Sequence, residues 1–330
     1  LIGKVLTGEL TAVKSEVLFE NQADVPCRED VFAELLKRRE VIEHGPGLYS
    51  LHGTVAKMFR SLDENLRKFA LSQNAEEVVY PVKIPISTLH KSHFFSNYPH
   101  FANFVSTLKE NSDDISMAAK KIDKNNQGNF LEHLNRPEQI CRSAGCVHSY
   151  PSFENQVVDA DFSKTITMQG RIFRNESSNV KSLERLNEYS MRELIYFGSK
   201  DFVTDKLKAC LDWFRIFLVE GNLLGAVQYA NDPFFADNLA TLQFFQRSQQ
   251  TKIEVRMLNP ASGNHVSVAS INNHGSHFSK SYNIRFKDQN YITTGCVGFG
   301  YERLIFLVLS QHGLETSKWP LFLRGLLVQN

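Results

Sequence analysis

The stretch from Thr294 to Leu304 constrains the fold of this chain more than any other. It reads TGCVGFGYERL, in which three glycines precede an apolar run that carries one charged pair, Glu302-Arg303. Because glycine has no side chain, these positions let a neighbouring group approach the backbone closely. The apolar residues that continue to Val308 predict a buried helix. We therefore expect a glycine-rich turn that leads directly into a core helix.

An arginine at the start of a core helix has no packing reason to be there. The guanidinium of Arg303 suits phosphate oxygens, which it can bind through two parallel hydrogen bonds. Alternatively, Glu302 and Arg303 form a structural pair that caps the turn. The local sequence leaves both interpretations open.

Composition excludes several classes of protein. The chain has 330 residues, enough for one large domain or two smaller ones. A net charge of +1 gives no indication of a broad nucleic-acid surface. No segment is apolar enough to span a membrane and the N-terminus has no signal-peptide layout, so we expect a cytoplasmic protein. Five widely spaced cysteines, an odd number, argue against a disulfide framework.

Periodicity predicts an α+β fold with a mixed or antiparallel sheet. Residues 1–45 have weak periodicity and predict an N-terminal appendage that ends at the Gly-Pro-Gly break, and the polar residues 114–134 predict a surface insertion or a helix pair. Helical spacing predicts helices over 54–72 and 202–220. Strands are predicted over 77–81, 165–174, 191–198, 252–258, 266–271 and 282–286. Runs of strands followed by helices are typical of α+β proteins.

Arg174 and Glu176 follow the predicted strand 165–174. If Arg174 and Arg303 converge on one site, they form a clamp for a polyphosphate. Alternatively, Arg174 and Glu176 lie two residues apart on one strand face and pair with each other.

Cys146, Glu193 and Cys296 all lie on or beside predicted strands. Two thiolates and one carboxylate suit Zn²⁺ and leave one coordination position open for a substrate. His148 is a rival ligand on chemical grounds. Each cysteine, taken alone, is also typical of an ordinary packing residue.

Several blocks in one order resemble the class II aminoacyl-tRNA synthetases. FRNE at 173–176 is similar to motif 2 of that class, GFGYERL at 298–304 to motif 3, and the strand ending at Pro81 to motif 1, which builds a dimer interface. More closely, the chain resembles the amino acid–[carrier protein] ligases, relatives of the zinc-dependent seryl-tRNA synthetase catalytic domain. The blocks that carry this resemblance are YPHF at 98–101, GCVHSYP at 145–151, MRE at 191–193, ANDPFF at 230–235 and TGCVGFG at 294–300.

The resemblance implies a class II synthetase-like catalytic domain over residues 46–330, with a mostly antiparallel sheet flanked by helices, in a homodimer. It also implies a catalytic zinc on Cys146, Glu193 and Cys296, with Glu193 and Asp232 as contacts to the substrate. Arg174 and Arg303 become the catalytic arginines, on the α- and γ-phosphates of ATP, which is bound with Mg²⁺. The other ATP contacts that it implies are Glu176, Arg185, Leu186, Lys252, Ser267, Val268, Ala269 and Ser270.

The activity that the resemblance implies has two steps. A small amino acid (glycine, alanine or serine) reacts with ATP to give an aminoacyl adenylate, and the thiol of a phosphopantetheine arm on a carrier protein then takes the aminoacyl group. Two alternatives are a true seryl-type tRNA synthetase and an inactive paralogue with a regulatory role. The near-neutral charge and the short N-terminal segment, without a recognisable tRNA-binding extension, favour the carrier-protein ligase.

Overall fold

The computed structural model of this protein describes residues 16–123, 127–176, 179–230 and 252–328. Strands and helices alternate irregularly along these segments. The strands are Val17–Asn21 (β1), Val41–Gly45 (β2), Leu48–Leu51 (β3), Glu76–Glu77 (β4), Lys83–Pro85 (β5), Asn103–Val105 (β6), Gln139–Cys141 (β7), Val157–Val158 (β8), Lys164–Phe173 (β9), Glu188–Gly198 (β10), Gly225–Tyr229 (β11), Lys252–Asn259 (β12), Asn264–Gly275 (β13), Arg285–Phe286 (β14) and Thr293–Gly300 (β15).

The helices range from one turn to six. They are Val31–Lys37 (α1), Gly53–Ser72 (α2), Ile86–Lys91 (α3), Phe94–Asn97 (α4), Ser112–Asp123 (α5), Lys200–Glu220 (α6), His277–Ser281 (α7), Tyr301–His312 (α8) and Leu321–Leu327 (α9). Short 3-10 helices cover Pro99–Phe101, Gln127–His133, Cys146–His148, Pro151–Phe153 and Thr316–Lys318.

One large sheet organises the molecule, with strand order β1-β11-β12-β13-β15-β10-β9-β4. Its neighbouring strands are antiparallel except β4, which runs parallel to β9 at one edge. The predicted architecture, a mostly antiparallel sheet flanked by helices, is confirmed. Smaller sheets pair β2 with β3, β8 with β14, and β5 and β6 with β7.

Helices α2, α6 and α8 pack on one face of the large sheet and bury the main core. Successive residues of β10 point to opposite faces, so Leu194 and Tyr196 enter this core while Ile195 and Phe197 enter a second cluster on the other face. Helices thus cover one face, and the loops and short helices on the other leave room for a site above the middle strands.

Most of the predicted elements are confirmed, and three are wrong. The glycine-rich turn at 294–300 is the buried strand β15, and its glycines relieve contacts with neighbouring strands and helices rather than reversing the chain. The predicted strand 77–81 shrinks to Glu76–Glu77. In the predicted strand 282–286, Tyr282 instead ends helix α7, and only Arg285–Phe286 is extended.

Two regions that the sequence predicts to be peripheral, residues 1–45 and 114–134, have secondary structure in their described parts. In the described part of 1–45, β1 pairs with β11 of the large sheet and Leu35 of α1 is fully buried, so the boundary near residue 45 stays a prediction of the sequence. The polar segment 114–134 coincides with most of α5 and the 3-10 helix Gln127–His133. In the described segments, no helix is both long and apolar enough to cross a bilayer.

Candidate active site

The register between β10 and β15 brings Glu193 and Cys296 together. Cys296 pairs with Ile195, and Glu193 lies two residues from Ile195 on the same strand face. Both side chains therefore point to the loop-covered face of the sheet. Glu193 is directly opposite Gly298, where an added Cβ would lie 2.3 Å from the Met191 methyl group. Glycine at 298 thus leaves room for the end of the Met191 side chain next to Glu193.

Cys146 reaches the same point from a 3-10 helix above the sheet. Both oxygens of Glu193 hold this segment, since Oε1 accepts the N–H of Gly145 at 2.6 Å and Oε2 accepts that of Cys146 at 2.8 Å. An added Cβ at Gly145 would lie 3.1 Å from the Glu193 carboxyl carbon. The ligand atoms of Cys146, Glu193 and Cys296 all lie within 4.8 Å of one another, and all three residues are buried.

The electrostatics of this cluster show three groups that compete for protons. Burial and, to a smaller degree, the Cys296 sulfur raise the pKa of the Glu193 carboxyl to about 7, although the two backbone N–H groups oppose the rise. The hydrogen bond between the two sulfurs raises the pKa of Cys146 well above its ordinary value and lowers the pKa of Cys296 well below. A divalent cation would relieve this repulsion among buried anions.

The donor set fits Zn²⁺. Zinc takes thiolate and carboxylate ligands at about 2.0–2.3 Å, which sets tetrahedral ligand atoms about 3.5–4 Å apart. Separations within 4.8 Å need only small side-chain movements to reach that arrangement. Three protein ligands leave a fourth position, which is typical of catalytic zinc rather than structural zinc.

Arg174 and Arg303, the two arginines predicted to bind phosphates, both lie close to the Tyr189 ring. The guanidinium carbon of Arg174 is 5.7 Å from the centre of the Tyr189 ring, and that of Arg303 is 5.5 Å from it. Arg174 Nε donates to the Ser143 carbonyl at 3.0 Å, and Arg303 donates to the Ser267 carbonyl at 3.1 Å. Burial and the nearby Arg174 lower the pKa of Arg303. Two cations held together in a partly buried site are suited to bind an anion.

Glu302 and Glu176, the carboxylates nearest in sequence to these arginines, each accept hydrogen bonds from other groups. Glu302 is buried and accepts hydrogen bonds from the Ser190 N–H at 2.8 Å and from Arg171 at 3.3 Å, which leaves Arg303 to the cavity. Glu176 accepts a hydrogen bond from Arg185 at 3.3 Å. Glu302 therefore anchors β10 to the start of α8 and does not pair with the adjacent arginine.

One cavity of about 1550 Å³ contains both ends of the site. Most of the predicted site residues line it: Cys146, Arg174, Glu176, Arg185, Glu193, Lys252, Ser267, Val268, Ala269, Ser270, Cys296 and Arg303. Lys252 makes an ion pair with Glu254 at 3.5 Å on the same strand. Leu186 packs in the main core, 2% exposed. Asp232 and the rest of its block after Ala230 lie outside the described residues.

Tyr189 and His274 lie in the site but were not predicted from the sequence. His148, the rival metal ligand, does not belong to the metal-binding group. Tyr189 lies close to both arginines, and His274 Nε2 lies 3.5 Å from the Cys296 sulfur. The alternation of β10 could have placed Tyr189 on the same face as Met191 and Glu193. His148 instead stacks on Tyr80, and burial lowers its pKa to about 4. Among the described residues, the metal-binding group contains no histidine.

The family was established by comparison with known proteins. The model of the tRNA synthetase class II core domain (G, H, P, S and T) matches residues 131–312, more than half of the chain. The chain belongs to this family. The match includes both arginines, both cysteines and the glutamate of the candidate site.

Individual relatives of this class II chain fall into two groups. An amino acid–[acyl-carrier-protein] ligase 1 of Bradyrhizobium diazoefficiens is 25% identical, and the alignment covers 86% of each chain. A type-2 serine–tRNA ligase of Methanococcus maripaludis is 24% identical over 84% of this chain and 55% of the relative. The chain thus spans about half the length of the serine–tRNA ligases that it matches.

Solved structures agree on the fold of this class II chain. The seryl-tRNA synthetase of M. kandleri, crystallised with a tRNASec of A. aeolicus, superimposes with a TM-score of 0.83 at 22% identity, covering 97% of this chain and 65% of that one. A prolyl-tRNA synthetase of Giardia lamblia with prolyl-adenylate gives a TM-score of 0.62 at 17% identity, covering 88% and 54%.

Proposed function

We propose that this protein activates a small amino acid with ATP and transfers the aminoacyl group to the phosphopantetheine thiol of a carrier protein. The observation that carries the proposal is the single cavity with a thiolate–carboxylate cluster at one end and two arginines at the other. Adenylate formation needs the amino acid carboxylate and the α-phosphate of ATP side by side. One end of this cavity is suited to a metal ion that binds the α-amino group, and the other end is suited to the phosphates of ATP. The cavity can therefore place the two substrates side by side.

In the proposal, Cys146, Glu193 and Cys296 hold one zinc ion. When bound, the ion would supply a Lewis-acidic position that selects the unprotonated α-amino group of the substrate. Glu193 has a second task, because its two backbone hydrogen bonds fix the segment that presents Cys146. Asp232 stays a predicted second contact to the amine.

At the other end, Arg174 and Arg303 bind the phosphates of ATP, which is bound together with Mg²⁺. Arg174 stabilises the charge that builds on the α-phosphate as the carboxylate attacks, and Arg303 holds the γ-phosphate. Tyr189 and the two carbonyls that the arginines contact orient both guanidinium groups before ATP arrives. Because this orientation is set in advance, less entropy is lost when ATP binds. Glu176, Arg185, Lys252 and Ser267–Ser270 stay proposed nucleotide contacts, and Leu186 supports them from the core.

The carrier protein is favoured as acceptor by the relative that aligns over 86% of both chains. Transfer to tRNA is the second candidate, because serine–tRNA ligases have nearly the same identity to this chain. We propose a homodimer, with α2 and β4 as the counterpart of motif 1, and a cytoplasmic location.

Pyrophosphate exchange into ATP tests the activation step. We expect glycine, alanine or serine to support exchange by zinc-replete protein, and Cys146→Ala to lose both the metal and the exchange. Cys141→Ala is the matched control, since Cys141 lies on β7 outside the cluster. Full exchange by metal-free Cys146→Ala would refute the role of the metal, and the absence of exchange with every amino acid would favour the inactive paralogue.

A comparison of two acceptors tests the second step. The enzyme is incubated with ATP and the amino acid that supports exchange, and a phosphopantetheine-bearing carrier protein or total tRNA is added in separate reactions. Thioester formation without esterification of tRNA supports the proposal. Esterification of tRNA alone would replace the carrier-protein ligase with a tRNA synthetase.

A further inference from the structure

His274 lies beside the metal cluster and has no part in the function proposed above. It lies on β13, two residues from Asn272, which pairs with Cys296 on β15. Its Nε2 atom is 3.5 Å from the Cys296 sulfur, and Asn272 Nδ2 is 3.6 Å from the same sulfur. A cysteine that only filled space in the core would not need two nitrogen atoms aimed at its sulfur.

The other ring nitrogen of His274 determines what Nε2 can do. Nδ1 lies 3.3 Å from the Tyr150 hydroxyl and 3.4 Å from the Thr294 hydroxyl. The Thr294 hydroxyl can donate to Nδ1, and a neutral imidazole whose Nδ1 accepts must carry its proton on Nε2. The opposite tautomer would place the Nε2 lone pair against a sulfur lone pair. The surroundings therefore favour an Nε2–H that donates to Cys296.

Aromatic packing holds this arrangement in place. The Phe278 ring stacks on Tyr150 at 4.0 Å between centroids and meets the His274 ring edge-on at 4.8 Å. Tyr150 is 1% exposed and lies beside Cys146, whose pKa it lowers. One connected group of side chains thus contacts both cysteine ligands from outside the ligand set.

We propose that His274 is a positioning residue for the metal centre, which donates Nε2–H to the Cys296 sulfur and is oriented by Thr294 and Tyr150. The proposal rests on the zinc site of the proposed function. A donated hydrogen bond draws electron density from the thiolate, so the metal keeps more of its Lewis acidity toward the substrate amine. Groups that hydrogen-bond to metal ligands in this way tune the metal and fix the ligand direction.

Cobalt reconstitution tests the proposal through the metal itself. Purified full-length protein is stripped of metal and titrated with Co²⁺, and the sulfur-to-cobalt charge-transfer band reports on the thiolates. In His274→Phe we expect a band at longer wavelength, because the sulfur lone pair rises in energy without its donor, and metal affinity weakened about tenfold to a hundredfold. His274→Gln, which restores an N–H donor, should recover most of both changes. His277→Phe is the matched control and should change neither.

Three outcomes would overturn the proposal. The first is a band and an affinity in His274→Phe equal to those of the wild type. The second is folded His274→Phe that binds no cobalt at saturation, which would make His274 a ligand. The third concerns Thr294→Val, which is used if His274→Phe does not fold. An unchanged band in Thr294→Val overturns the proposal, and a smaller shift in the same direction supports it. Wild-type protein that binds no cobalt would instead remove the metal site of the proposed function.

Discussion

Replacing Glu193 by glutamine separates its metal-binding role from its role in folding. The substitution keeps the shape of the side chain and removes its charge. In the wild type both carboxylate oxygens accept backbone N–H groups, from Gly145 and Cys146. An amide has only one oxygen, so one buried N–H loses its acceptor, which costs about 1–3 kcal/mol.

A second effect opposes this loss in metal-free protein. Burial raises the pKa of Glu193 from an ordinary 4.5 to about 7. A carboxyl whose pKa is raised on folding destabilises the folded state above the unfolded pKa, and the penalty is complete above pH 7. For this shift it is about 3 kcal/mol. Glutamine carries no charge and escapes the penalty. At pH 8 the two effects nearly cancel, so metal-free Glu193→Gln should melt within a few degrees of metal-free wild type.

Added zinc should raise the thermal stability of the wild type but not that of Glu193→Gln. At a zinc concentration about 100 times Kd, a bound ion stabilises the folded wild type by about 2.7 kcal/mol. We expect Glu193→Gln to show no such gain in thermal melts and no stoichiometric zinc in elemental analysis. Glu188→Gln is the matched control on the same strand, because Glu188 is a partly exposed residue 3.6 Å from Arg171. A metal-free Glu193→Gln that loses several kcal/mol, or one that keeps its zinc, would refute this reasoning.

Three further substitutions test other parts of the structure. Arg303→Ala should lower kcat/KM for ATP about 30-fold to 1,000-fold with zinc content unchanged, because it removes one preorganised cation from the phosphate end; exchange kinetics and elemental analysis measure this. Gly295→Ala should destabilise the protein by about 1–3 kcal/mol in urea melts, since its Cβ would lie 2.9 Å from a methyl group of Val203 and 3.1 Å from the Asn272 carbonyl oxygen. His312 is buried against a backbone carbonyl and burial lowers its pKa, so stability should fall as pH drops below its ordinary value near 6.5, and His312→Gln should weaken that slope in melts across pH.

Each of these has a result that would contradict it. Loss of zinc in Arg303→Ala would indicate a structural role for the arginine. A Gly295→Ala protein as stable as the wild type would mean that Val203 and the β13 backbone at Asn272 move away without cost. An unchanged slope in His312→Gln would mean that other groups set the acid limit of stability.

The candidate site shows which functional residues can be predicted from the sequence and which cannot. Cys146, Glu193 and Cys296 were proposed as ligands from their residue types and from a family resemblance, and the tertiary structure brings them within 4.8 Å of one another. The sequence left His148 as a rival ligand, since nothing in the local sequence showed that its ring stacks on Tyr80. His274 could not be found from the sequence, because its link to Cys296 depends on the pairing of β13 with β15.

The sequence by itself determined the long helices, most of the strands and the identity of the reactive side chains. Periodicity fixes helices such as Gly53–Ser72 because one face must be apolar to be buried. The tertiary structure decided the conformation of residues 294–300: glycines suggest a turn locally, but β10 and β13 on either side supply hydrogen-bond partners that make a central strand more favourable. The tertiary structure also decided the surroundings of each charged side chain. Glu302 accepts a hydrogen bond from the Ser190 N–H, and Arg303 lines the cavity. Those choices depend on strand register, which links residues more than a hundred positions apart and has no signature in the local sequence.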